Sequence, residues 1–208
     1  MTNSANELIP HLVHGIPELN FPPIDPMRFS NLSVTVGESS INIKAELRDI
    51  VVEGLKDMKF IESKLDFDTG IFENKIVIPR INVKCQYHFS GHILLFEIDG
   101  GAQAELNAND ISATLTKFGN YHTKNGIKYI KFGKSDVKVD AKDVSVRFDD
   151  LFRNNELLTQ TVNQAINDNI QTLKEELDSL IGKTIEEVIF KGYLKIFDQL
   201  PFDVLFPN

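Results

Sequence analysis

Tryptophan is absent from the 208 residues, and cysteine occurs once, as Cys85. A single thiol excludes an internal disulfide and any metal site built on several cysteines. No run approaches the ~20 consecutive apolar residues that a membrane-spanning helix needs. Positive charge is the scarcer sign, 22 Lys and Arg against 30 Asp and Glu, leaving a formal net charge of −8. That balance argues against a nucleic-acid partner, because phosphate backbones are held by clustered cations. The opening Met-Thr-Asn-Ser-Ala-Asn-Glu lacks the basic and apolar regions of a secretory signal. Proline is missing between Pro79 and Pro201, and five of the eight prolines crowd between Pro10 and Pro26. What the chain does have is an ordinary globular composition, 42% apolar and 25% charged. It also carries 15 Phe, which fill apolar volume without adding a polar atom.

The proline cluster separates three regions. Residues 1–31 are expected to form an N-terminal turn and a proline-rich arm. Leu8, Leu12 and Val13 can make one or two helical turns ending at Gly15. The following Gly15–Pro26 stretch must be extended, since each Pro removes a donor and biases its predecessor away from helix. Residues 32–148 alternate with a period of two. Ile41, Ile43, Ala45 and Leu47 share one phase, as do Ile81, Val83, Cys85, Tyr87 and Phe89. The same holds for Ala102 to Ala108, for Ile111, Ala113 and Leu115, and for Val144, Val146 and Phe148. Such alternation predicts strands with one wet and one dry face. Turn signals at Asp68-Thr69-Gly70, Ser90-Gly91-His92, Asp99-Gly100-Gly101 and Lys124-Asn125-Gly126 predict a long antiparallel meander. After Phe152 the period becomes helical, with Asn154 or Asn155 as N-cap. Residues 155–197 then read as one helix, roughly 65 Å long at ~1.5 Å per residue, with Gly182 and Gly192 as expected kinks.

A long one-sided sheet and a long striped helix each need a partner of equal length. The predicted fold class is therefore α+β, a strongly curved antiparallel sheet wrapped around one long C-terminal helix in a single domain. The dry face mixes small residues with Phe, and two interiors fit that pattern, a packed core or a long apolar channel. Residues expected by phase to line or border such a channel are Cys85, Tyr87, Phe89, Phe96, Leu106, Leu115, Phe132, Val146 and Phe148. Leu94 in the hairpin joins them, with Ile166, Ile170, Leu173 and Leu177 from the helix stripe. A channel without charged groups would select ligands by length and girth.

No catalytic or metal constellation accompanies these residues. His11 with His14 and His88 with His92 are pairs without the third ligand that zinc requires. Cys85 lies in the dry phase, where no basic microenvironment is visible to lower its pKa. Phe132-Gly133-Lys134-Ser135 ends like a phosphate loop, but the earlier Gly is replaced by Lys128. Tyr87, Tyr121 and Tyr129 can each offer one hydroxyl to a ligand head group or to the protein rim.

Several segments carry a family pattern. They are Gly15-Ile16-Pro17-Glu18-Leu19, Pro22-Pro23-Ile24-Asp25-Pro26, His88-Phe89-Ser90-Gly91-His92-Ile93-Leu94-Leu95 and the Gly100-Gly101 break. Lys124-Asn125-Gly126-Ile127-Lys128-Tyr129, Val144 to Phe152 and the ending Pro201-Phe202-Asp203-Val204-Leu205-Phe206-Pro207 complete it. In order and spacing, from about residue 8 to 208, the chain resembles the takeout and juvenile-hormone-binding family of insects. That resemblance implies a tubular lipid-binding fold with an apolar ligand tunnel. It implies a secreted, haemolymph-like carrier of terpenoids such as juvenile hormone, of carotenoids, quinones or fatty-acid-like lipids. No enzyme activity, metal, organic cofactor, nucleic acid or stable membrane insertion is then expected. The alternative is a membrane-associated lipid-transfer or surface-active protein of the same fold. One feature departs from the family: the cysteine pair that usually precedes the Gly-Ile-Pro arm is absent.

Overall fold

Alternation with a period of two becomes, in the computed structural model, a single antiparallel sheet. The structure describes residues 1–37, 41–93, 95–173, 178, 181 and 200–206. Among these the sheet holds eight strands: β1 (Met27–Gly37), β2 (Ile41–Glu53), β3 (Lys59–Asp66), β4 (Ile71–Ile93), β5 (Phe96–Gly100), β6 (Gln103–Lys124), β7 (Ile127–Asp140) and β8 (Asp143–Phe148). β2 and β3 lie end to end along one edge of β4, while β5 and β6 share its other edge. β7 and β8 in turn lie end to end along the far edge of β6. The meander expected from the turn signals is present, with its long strands flanked by paired short ones. At Asn125-Gly126 both residues have positive φ, as a two-residue hairpin turn requires.

The sheet is strongly curled, and its curl has a local cause. On β4, Asn74, Ile76 and Ile78 point inward, but beyond Pro79 and Arg80 the inward set is Val83, Cys85, Tyr87 and Phe89. On β6 the inward set changes at the same level, from Ile111 and Ala113 to Ala108 and Leu106. Asp110, at φ +48°, stands across from Pro79. Both strands swing the same way together, so their pairing register is kept. A second break lies on β2 at Asp49, φ +50°, where the β2–β4 register shifts.

Three sequence expectations change. The N-terminal segment is a full helix, α1 (Thr2–Val13), and the sheet starts at Met27, inside the arm predicted to reach residue 31. α1 is held by tertiary bonds that local propensity does not report. Asn6 donates to Phe60 O at 2.9 Å and accepts from Phe60 N at 2.8 Å, and Thr2 Oγ1 accepts from Ser63 N. The helix thereby closes the open edge of β3. Ser90-Gly91-His92 is not a turn, because β4 runs through it to Ile93. Gly91 has φ +132°, and a Cβ there would collide with the Asn42 carbonyl oxygen, so glycine serves close strand approach instead.

The third change concerns the helix. α2 (Glu156–Asp168) begins as expected, with the Asn155 side chain accepting from Leu158 N at 3.1 Å. It closes at Asn169, whose N–H is shared between Ala165 O and Ile166 O while its Nδ2 donates back to Ala165 O. Helical backbone resumes over 170–173, so the single helix predicted from 155 is interrupted there. Residues 174–177, 179–180 and 182–199, with the expected kinks at Gly182 and Gly192, lie outside the described residues.

Candidate ligand-binding face

The concave face gathers two apolar clusters. One is built from Ile43, Ala45, Tyr87, Phe89, Ile98, Leu151, Val162, Ile166 and Leu173. Phe96, Val146, Phe148 and Ile170 pack on it, half-buried. Eight of the predicted residues therefore meet at the α2 end of the sheet. Tyr87, Phe89 and Phe148 form a ring triad with centroid separations of 4.6, 5.2 and 5.1 Å. The Tyr87 hydroxyl donates to Asp149 O at 2.7 Å. Burial, then the charges of Asp149 and Asp150, push its phenol well above the usual tyrosine range.

The second cluster contains Ile76, Ile78, Ala108, Ile111, Ala113 and Ala141, with Leu106 and Leu115 packed against it. Cys85 stands between the two on β4, facing Ala104 of β6. Burial pushes its thiol up, so it is a poor nucleophile. Phe132 is not in either cluster and lies at the far end, 6.2 Å from the Phe72 ring. Leu94 and Leu177 lie outside the described residues.

α2 is fixed over the first cluster by a pair of asparagines at i, i+4. Asn163 exchanges two bonds with the backbone of Phe148, 2.9 and 2.8 Å. Asn167 does the same with Val146, 2.9 and 2.8 Å. Each side-chain amide takes the place of a neighbouring strand, so the edge of β8 is paired by a helix.

Sequence reasoning missed the polar part of this face. It expected no charge inside, yet Lys117 is only 6% exposed. It follows Ala113 and Leu115 in the same inward phase, which is the signal that could have found it. Asn74 and Ser135 are buried beside it. Of the three tyrosines considered for a ligand contact, Tyr87 bonds the backbone and Tyr129 stacks on His122. The Tyr121 hydroxyl is buried with no hydrogen-bond partner among the described residues. No group of three or more His, Cys, Asp or Glu suited to a metal occurs among the described residues. No helix of the described residues is long and apolar enough to cross a membrane.

Comparison with known proteins gives this geometry a setting. A crystal structure of Takeout 1 from Epiphyas postvittana superposes with a TM-score of 0.85 at 22% identity, covering 98% of this chain and 93% of that one. It identifies the fold as the α+β tubular lipid-binding fold. A crystal structure of lipopolysaccharide binding protein gives a TM-score of 0.36 at 12% identity, covering 88% of this chain and 36% of that one. Comparison with curated proteins gives no match. The family model described as haemolymph juvenile hormone binding protein matches residues 1–207, and the chain belongs to that family.

Proposed function

We propose that the chain is a non-enzymatic carrier of an elongated hydrophobic small molecule, held between the curled sheet and the helical segment. The observation that carries the reading is the continuous inward apolar face, from Phe148 and Tyr87 through Cys85 to Leu106 and Leu115, in a fold shared with Takeout 1. The driving force is desolvation. At ~25 cal/mol per Å2, burying ~400 Å2 of an isoprenoid or acyl chain contributes about 10 kcal/mol before ordering costs. The ligand class is a terpenoid, carotenoid, quinone or fatty-acid-like lipid, and the setting is extracellular, as in haemolymph. The ligand leaves chemically unaltered.

Organic extraction of the purified protein with mass spectrometry and an absorption scan tests the reading. Trp substitution at Cys85 and at Leu115 should each block long ligands while the fold persists. Unchanged affinity in both variants would place the binding face elsewhere. A membrane-associated transfer protein is the second reading, favoured by Leu95, which is 98% exposed at the β4–β5 hairpin tip. Vesicle flotation of wild type and Leu95→Glu separates the two, since a soluble carrier does not float in either form.

A further inference from the structure

Lys117 is the one charged side chain among the buried residues of the described structure. It lies on β6 between Phe72 of β4 and Ser135 of β7, its register partners on either side. Asn74 faces Leu115, one inward step from Lys117, and accepts from Ser63 Oγ at 2.6 Å. Asn74, Lys117 and Ser135 are 8, 6 and 7% exposed, so three polar side chains are withdrawn from water at one level of the sheet. Phe72 and Phe132 flank this level, and the Lys117 Nζ lies 5.4 Å from the Phe132 ring centroid. Everything further along the same face of β6, from Leu115 through Ala113 to Ile111, is apolar.

We propose that Lys117 receives the carboxylate of a long-chain carboxylic acid, with Ser135 and Asn74 beside it and the chain running along β6 toward Leu106. The inference rests on the carrier reading and names the head group of its ligand. Three features support it. An ammonium carries three donors, so Lys117 serves a ligand carboxylate and a protein acceptor at once. A charge-assisted bond in a water-poor interior is stronger than a neutral one and gives orientation as well as affinity. The span from Lys117 to Ile111 is roughly 20 Å at ~3.3 Å per residue, about the length of a long acyl chain. An apolar tube alone would bind acid and ester alike; a cation at one level of it separates them.

The test titrates the full chain with cis-parinaric acid and with its methyl ester, followed by polyene fluorescence. Wild type should prefer the acid by tenfold or more. Lys117→Met should weaken the acid at least tenfold and leave the ester within twofold, while Lys117→Arg keeps the preference. A wild-type preference below twofold overturns the inference without any variant. So does an equal loss of both probes in K117M, which would make Lys117 a cation that only supports the fold. If wild type binds neither probe, the carrier reading fails and takes this inference with it. If both bind and only the acid–ester difference is missing, the carrier reading stands and the Lys117 assignment alone falls.

Discussion

Replacing Asn167 by Ala removes the amide that pairs with both the N–H and the C=O of Val146, at 2.9 and 2.8 Å. These bonds are half-buried, and each contributes about 1 kcal/mol net, so the loss is about 2 kcal/mol. Ala returns roughly 0.5 kcal/mol through its better helix propensity. The expected destabilisation is about 1.5 kcal/mol, a fall in Tm of roughly 3–6 °C for a chain of this size. Asn163→Ala should behave alike through Phe148. The double variant should lose less than the sum, because both amides pin one strand, β8, and its detachment is shared. Asn167→Asp is the sharper probe. It keeps the acceptor but turns the donor into a second oxygen facing Val146 O and Asn163 O. Its carboxyl pKa is raised in the folded state. The added destabilisation is therefore full at neutral pH and shrinks as pH falls into the carboxylate range, about 4, where protonation restores a donor. Urea titration followed by far-UV circular dichroism at pH 7 and pH 4 reads all four variants, with the slope m unchanged. Both Ala variants within 0.5 kcal/mol of wild type, or N167D indistinguishable from N167A at both pH values, would refute the claim that the helix closes the β8 edge.

Glu62 gives a second pH effect. Hydrogen bonds from Lys64 and then Lys75 hold its carboxyl down at about 2 against an ordinary 4.5. The folded pKa is depressed, so its contribution is present above about 4.5 and lost as pH falls toward 2; Glu62→Gln should flatten the acid-denaturation profile in that window, lowering stability above it, pH 7 included, and leaving it little changed near pH 2. Burial raises the phenols of Tyr87 and Tyr121, so an absorbance titration of the folded protein should show steps at higher pH than the same titration in urea. Tyr87→Phe should remove one late step and cost about 1 kcal/mol with the Asp149 bond. The raised thiol of Cys85 should react with a disulfide reagent far more slowly in the folded protein than in urea, and equal rates would place it on the surface. Gly91→Ala should destabilise by more than 2 kcal/mol in urea titration, since a side chain at φ +132° meets the Asn42 carbonyl.

Several parts of this protein are dictated within a few residues of chain. Period-two alternation places Tyr87, Phe89, Leu106, Leu115 and Val146 on the inward face, because successive side chains of a strand must point opposite ways. Asn125-Gly126 specifies its hairpin because few other pairs accept two positive φ angles. Asn155 caps α2 with a bond to a residue three positions on. The change of inward phase between Ala108 and Ile111 is also visible in the alternation itself. Other parts depend on atoms far apart in the chain, which a local pattern does not encode. Lys117 carries the phase of a core residue and the chemistry of a surface one, and the fold resolves the conflict by burying it. Asn163 and Asn167 read as ordinary polar positions of a helix until β8 arrives beside them with an open edge. Gly91 reads as a turn until β2 is seen pressed against it. The interruption at Asn169, whose N–H divides between Ala165 O and Ile166 O, leaves no mark in the spacing of apolar residues. Helical periodicity continues through that residue, because spacing counts apolar side chains and is blind to which oxygen an asparagine chooses.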